Sequence, residues 1–481
     1  MYHIVYAYYS ICILITIQKN ASPPKTSPPA CPHSPAQLLA FFLKLLPTRA
    51  LLQLPALKNS SFYDRLFNPL VTLWYLLFQR LNADHTLDAA LSDARAGGAD
   101  RLNPKLSRDL RSDSTCSYSD ARQRLPWEAL LQALALQAQQ LVGLTPTTLW
   151  QGLVVALIDG STVRVRPHPG MTKAFPPQRN QYRNRAYWCL VRVVVDFCAL
   201  SGAALDCAMG CLHTSEQQLA CQIIARAKLK SLFLGDRNFG VFRIVQVARQ
   251  AGQEVLVRLT DRRARKLLGR ALKPGQYPLD WKPSSHDQPE PSCSKAPIRG
   301  RLLIAQVHRK GFRRQKLYLF TTLPDTAQYS MEQLVALYGL RWHIELNLRY
   351  LKAQMDMVQL EAKSPDMARK EWLAGLMAYN LVRAAQLCAA LQTGRSPLSL
   401  SFCCVRRRLE HWLEQSQRAK PTLEASWVRL LKSIAQCRLP HRRKPRPNEP
   451  RAQRHLRLPY APLYGSRAAA RKNLRKYVSK S

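Results

Sequence analysis

LVVALIDGSTVRV (153–165), CLVRVVVDF (189–197), SGAALDCAMG (201–210), SEQQLACQIIARAK (215–228) and KSLFLGD (230–236) follow one another along the chain. The first two runs are rich in β-branched residues, which fit a pleated, half-buried surface, and the third and fifth are short apolar runs bounded by turn residues. In the fourth, apolar residues recur at helical spacing. Three strands, a helix and a fourth strand describe an α/β core. Asp159 lies inside the first strand, and Asp236 closes the fourth, where strand ends of α/β folds present ligands.

Upstream, apolar residues recur at helical spacing in AQLLAFFLKLL (36–46), NPLVTLWYLLFQRL (68–81) and PWEALLQALALQAQQLVG (126–143), so residues 36–150 are read as an all-helical, DNA-binding region. Its polar middle supplies Arg101, Arg108, Arg111, Arg122 and Arg124 for contact with phosphates. Downstream, the core's first part runs to 260, with a helix in FGVFRIVQVARQAG (239–252) and a strand in QEVLVRL (253–259). Residues 261–325 read as a β-rich insertion: a basic stretch and a loop through PSSHDQPEPSCSKAP (283–297), then strands RLLIAQVHR (301–309) and QKLYLFTTL (315–323), which need partners of their own. The core resumes over 326–415 with one long helical pattern, MEQLVALYGLRWHIELNLRYLKAQMDM (331–357), and two further helices. Residues 416–481 form a basic C-terminal region ending in a Pro-broken tail.

Of 481 residues, 72 are Lys or Arg and 30 are Asp or Glu, a net charge of +42 that points to a polyanionic partner. A hydrophobic fraction of 47% excludes a disordered or fibrous chain. The cations run from residue 100 to the end rather than along one amphipathic face, which argues against a membrane-surface protein. The 13 cysteines form no CxxC pair and are read as reduced thiols of a cytoplasmic protein. Cys207, Cys211 and His213 lack the second pair of ligands a zinc site needs. Residues 1–35 are an apolar leader and a Pro-rich linker; the run 2–17 falls short of the roughly 20 residues of a membrane span and is read as no anchor.

Metal-dependent phosphodiester chemistry wants carboxylates that hold two divalent ions about 4 Å apart. Acids grouped in so basic a chain therefore stand out, since they stay ionised together only when a cation compensates them. Alone, Asp159 could be a strand-edge charge and Asp236 a turn cap. In the long helical pattern, Tyr338, Arg341, Glu345 and Lys352 fall within an arc of about 60°. That face either sets Glu345 at a metal with cations reaching phosphates, or is a solvated surface where Glu345 pairs with Arg341 or Arg349. His343 points to the opposite side and is a poor ligand candidate.

These residues resemble the DDE transposases of bacterial cut-and-paste insertion sequences, specifically the group marked by Y-x2-R-x3-E-x6-K (insertion sequence family four), read here as Tyr338, Arg341, Glu345 and Lys352. DGS at 159–161, GDRNFG around Asp236 and STCSYSDARQRLP (114–126) extend the resemblance over roughly residues 105–415. The resemblance implies a ribonuclease-H-like core, with Asp159 on its first strand, Asp236 after its fourth and Glu345 on a late helix beyond a β-rich insertion. It implies that Asp159, Asp236 and Glu345 are the catalytic, metal-binding acids, holding two Mg²⁺ ions that Mn²⁺ can replace. Tyr338, Arg341 and Lys352 would contact the DNA backbone, and Trp342 matches an aromatic often found after that arginine. Trp281, in the insertion, is a candidate for stacking a flipped base.

The implied function is cut-and-paste transposition: binding terminal inverted repeats, cleaving at the element's ends and joining them to target DNA, as a homodimer on DNA in a bacterial cytoplasm. The rivals are a nuclease that cuts without joining and a catalytically silent DNA-binding protein derived from a transposase.

Overall fold

The computed structural model describes residues 33–45, 48–58, 65–82, 84–144, 148–179, 185–269, 272–284, 296–307, 315–418, 422–440 and 466–472. The apolar run 2–17 and nearly all of the basic tail beyond 440 lie outside them.

Ten strands form one mixed sheet: β1 (Val154–Val165), β2 (Pro177–Arg179), β3 (Arg185–Cys198), β4 (Ala204–Gly210), β5 (Ser231–Gly235), β6 (Glu254–Arg258), β7 (Gly275–Trp281), β8 (Ile298–Val307), β9 (Gln315–Thr321) and β10 (Gln359–Leu360). Its heart has the order β4-β3-β1-β5-β6. β3 runs antiparallel to β1 and to β4, while β5 is parallel to β1 and β6 to β5. Parallel neighbours need crossovers. The first, from β4 to β5, carries a helix at Glu216–Arg226, begun by a capping box between Ser215 and Gln218; the second, from β5 to β6, carries Phe242–Gln250. β1 is buried on both faces: Val155, Leu157, Val163 and Val165 join one core, and Val154, Ala156 and Ile158 the other.

The segment 261–325 differs from the sequence expectation. Its strands find their partners in the core sheet itself, because β9 lies antiparallel to β6 and β8 and β7 continue the sheet outward. The stretch read as basic residues and loop contains a helix, Asp261–Leu268, and strand β7. β7 is the last strand on that side and carries Pro278 and alternating exposed residues, the marks of an edge strand that hydropathy reads weakly.

Among the described residues, eight α-helical segments precede the sheet, including α1 (Pro35–Lys44), α2 (Pro69–Leu81), α3 (Leu87–Arg95), α4 (Cys116–Arg124) and α5 (Trp127–Gly143). In chain order the crossover helices become α6 (Glu216–Arg226) and α7 (Phe242–Gln250), and the insertion helix α8 (Asp261–Leu268). The long pattern 331–357 is not one helix: α9 (Met331–Tyr338), a 3₁₀ turn (Gly339–Trp342), α10 (His343–Arg349) and a π turn (Tyr350–Gln354) follow one another. A 3₁₀ turn winds tighter than an α-turn and a π turn looser, so the two departures act in opposite senses on the shared face. The first three pieces each make a tertiary contact of their own: Tyr338 with Gly235, Arg341 with Asp159, Asn347 with Arg383.

α11 (Pro365–Thr393) is the spine. It is buried all round from Glu371 to Ala390, as its nearly unbroken apolar and Ala-rich sequence requires, and stops at Gly394 in the left-handed conformation. α2 and α5 pack on it, as do α12 (Phe402–Arg418) and α13 (Leu423–Ala435). The helix at 423–435 departs from the reading of 416–481 as merely basic: Trp427, Leu430, Leu431 and Ile434 fall at helical spacing and are buried. Buried ionic joints tie the N-terminal helices to the spine. Lys370 donates to the carbonyls of Arg122 and Gln123 at the C-terminal end of α4, and Arg80 pairs with Glu371 at 3.2 Å. No helix among the described residues is long and apolar enough to cross a membrane.

Candidate active site

Asp159 alternates with the buried Leu157 and Val163, and so points to the face of β1 on which α10 packs. Asp236 follows β5, the parallel neighbour of β1, so both acids emerge at adjoining strands. Withdrawal from water raises Asp159's carboxyl to about 6; the negative charges of Asp236 and Glu216 push the same way, against the Gly160 amide and Arg341. The Gly160 N–H donates to Asp159 Oδ1 at 2.8 Å, and the Asn238 N–H to Asp236 Oδ1 at 2.8 Å. GDRNFG ends in glycine for a steric reason: a Cβ at Gly240 would sit 2.1 Å from the carbonyl oxygen of Arg258 on β6.

Arg341 is the hinge of the arrangement. Only 12% of its side chain is exposed, and it stands 4.0 Å from Asp159 Oδ2 and 3.4 Å from Glu345 Oε1. Its guanidinium also lies over the ring of Trp342, which is 36% exposed. Glu345 does pair with Arg341, as on a solvated face, but this arginine is nearly buried and also reaches the first acid of the strands. Tyr338 is buried and donates its hydroxyl to the Gly235 carbonyl at 3.3 Å, so it braces the turn into Asp236 from beneath. Lys352, in the π turn, is half-buried, and its ammonium is held below the usual lysine range first by burial and then by the charge of Arg164.

Four residues absent from the sequence reading belong to this neighbourhood. Arg258 ends β6, and its guanidinium lies within the electrostatic reach of Arg237, Arg341 and Asp236. Arg237 follows Asp236 directly. Glu216 opens α6 and accepts from the Asn238 side-chain amide at 2.7 Å. The position of Arg258 at the end of a parallel strand next to β5 was a usable signal; nothing in the spacing of Glu216 marks it. Trp281 is corrected: it is 3% exposed and packs edge-on against Phe320 and Phe242, because β7 turns it into the second core. His343 sits apart from the acids, half-buried, with its imidazole kept below its ordinary range first by burial.

Among the described residues no three Asp, Glu, His or Cys side chains converge closely enough to ligate one ion. Asp159 and Asp236 are brought together, while Glu345 is held off by Arg341. The donor set nonetheless suits a hard divalent cation: carboxylate oxygens whose mutual repulsion a cation would offset.

Residues 150–381 match the family described as Transposase DDE domain. The transposase InsG for insertion sequence element IS4 of Escherichia coli (strain K12) is 29% identical over 329 residues, 67% of this chain and 73% of that protein. A putative transposase InsL for insertion sequence element IS186A of the same organism is 41% identical over 64 residues, 13% of this chain and 17% of that protein. Among solved structures, the piggyBac transposase synaptic complex with hairpin DNA covers 85% of this chain and 86% of its own at 11% identity, with a TM-score of 0.39, too distant a likeness to carry an argument. The segment that holds Asp159, Asp236 and Glu345 thus matches the Transposase DDE domain family and is similar to the transposase of insertion sequence element IS4.

Proposed function

We propose that this chain is a transposase that cleaves DNA at the ends of its insertion sequence and joins the freed 3′-hydroxyls to target DNA, with Asp159, Asp236 and Glu345 as its catalytic acids. The observation that carries this reading is the approach of Asp159, within β1, to Asp236, at the end of the adjoining β5, against a late helix that presents Glu345. The strand order β4-β3-β1-β5-β6, with only β3 reversed, supports a ribonuclease-H-like core.

Asp159 and Asp236 would hold divalent ions, Mg²⁺ or Mn²⁺, with Glu345 as the third ligand once it leaves Arg341. Bound there, two such ions would activate a water or hydroxyl and stabilise the leaving oxygen. The chain's own part is to bind and orient. Arg341, released by Glu345, joins Arg237 and Arg258 as cations placed to meet the phosphate being cut. Trp342 offers an exposed ring beside them, and Lys352 extends the same helix toward the flanking backbone. Tyr338 keeps the Asp236 turn in place. The terminal inverted repeats and the target are the DNA partners, met by a chain of net charge +42, and two ends treated together call for a homodimer on DNA in the bacterial cytoplasm, at the nucleoid.

The test is a purified-protein assay with a labelled fragment carrying the inverted repeats that flank the gene, a supercoiled target and Mg²⁺. Cleavage at the repeat and a joined product are expected. Cleavage without joining would leave a nuclease, and end binding without either would leave a silent DNA-binding protein.

A further inference from the structure

Glu216 and Gln217 open α6 and grip a single residue of the Asp236 loop. Glu216 Oε2 accepts from the Asn238 side-chain amide at 2.7 Å, and the Gln217 side chain donates to the Asn238 carbonyl at 2.8 Å. The backbone N–H of Asn238 is in turn the donor to Asp236 Oδ1, at 2.8 Å. On its other side Glu216 covers Gly160, the neighbour of Asp159: a Cβ there would lie 2.4 Å from Glu216 Cδ. One carboxylate thus touches both acid-bearing segments, and neither contact lies in a core where packing alone would fix it, since Asn238 is exposed and Glu216 half-buried.

We propose that Glu216 is a positioning residue that, through Asn238, sets the Asp236 carboxylate relative to Asp159 for metal binding. The inference rests on the reading of Asp159 and Asp236 as ligands. A carboxylate on Asn238 fixes the amide's orientation, and the amide's backbone fixes the acid, the kind of outer support that orients ligands. Glycine at 160 follows from the same arrangement, because any side chain would displace Glu216.

The experiment measures Mn²⁺ binding by electron paramagnetic resonance on the full chain bound to end DNA, with thermal unfolding to confirm that each variant is folded. Glu216→Ala and Asn238→Ala should each weaken Mn²⁺ binding by roughly 10- to 100-fold. The double variant should be no weaker than either single one, since both cut one link. Glu216→Gln, whose amide oxygen still accepts from Asn238, should bind close to the parent. Unchanged binding in Glu216→Ala, additive losses in the double variant, or a Glu216→Gln loss equal to that of Glu216→Ala would each overturn the proposal. Asp159→Ala separates the two levels: if it too leaves Mn²⁺ binding unchanged, the acid pair is not the metal site and the proposal falls with it.

Discussion

Two polar clusters, one beside β1 and one on the spine, treat charge in opposite ways. Arg383, on α11, is 2% exposed and has no carboxylate partner among the described residues, yet its donors are spent on neutral acceptors: Tyr379 Oη at 2.8 Å, Gln386 Oε1 at 2.9 Å and Asn347 Oδ1 at 2.8 Å. The rings of Tyr350, Tyr379 and Phe402 lie against its guanidinium, and Gly202, at φ +75°, leaves room where a Cβ would come 2.8 Å from Arg383 Cζ. Each nitrogen of that guanidinium is bonded within the fold. Beside β1 two acids, Asp159 and Glu345, share Arg341, Asp159 is driven toward its protonated form, and Glu345 stays 45% exposed. A satisfied buried network rigidifies a fold, whereas one left short of compensating charge needs something from outside. The difference separates a structural joint from a site.

The largest effect expected of this contrast is on catalysis. Asp159→Ala, Asp236→Ala or Glu345→Ala should take Mg²⁺-dependent cleavage and joining to background while end binding, measured by gel shift, persists. A variant that still cuts would remove its residue from the site.

Arg383→Met should do the reverse. It leaves three buried acceptors without donors, at roughly 1–3 kcal/mol each, so denaturant unfolding should show a loss of at least about 3 kcal/mol. If the folded fraction instead keeps its stability and loses cutting, the spine cluster is no mere joint.

A third, smaller effect tests how a buried cluster disposes of surplus charge. Asp196 on β3 faces Asp206 on β4; Asp206 is held by Arg226, with bonds of 2.6 and 2.9 Å, and Asp196 Oδ1 has no hydrogen-bond partner. Complete burial, then Asp206, push the Asp196 carboxyl well above its ordinary range. A folded-state value raised above the unfolded one contributes stability that is full at low pH and is lost as pH rises through the folded value. Asp196→Asn should remove that decline and gain about 1–3 kcal/mol at neutral pH. Parallel curves of stability against pH for parent and variant would show that Asp196 is not held protonated.

The smallest effect concerns the edge of the open site. Lys352→Ala should lower the slope of log affinity for end DNA against log salt by about one unit, since about 0.9 counterions leave per phosphate neutralised. An unchanged slope would confine Lys352 to packing. Arg341→Ala should change the slope only if Arg341 leaves its carboxylates when DNA arrives, which makes it the sharper probe of the exchange with Glu345.

The strand–helix order of the core, the helical N-terminal region and the positions of the three acids were legible in the sequence, because side-chain alternation and helical spacing are local properties and the acids fall at fixed places on them. The mixed sheet's extension through β7, β8 and β9 was not, since pairing with β6 joins residues far apart in the chain and an edge strand with Pro278 carries little hydropathy signal. The helix at 423–435 carried its apolar spacing openly, but the surrounding basic composition hid it. In the long helical pattern, sequence placed Tyr338, Arg341, Glu345 and Lys352 on one face. Only the tertiary structure divided their work, because whether a side chain meets solvent, a backbone carbonyl or another acid depends on what the fold sets against it. Thus Tyr338 turns inward to Gly235, Arg341 stands between Asp159 and Glu345, and Glu216, unmarked by any spacing, arrives beside Gly160 because α6 begins against the middle of β1.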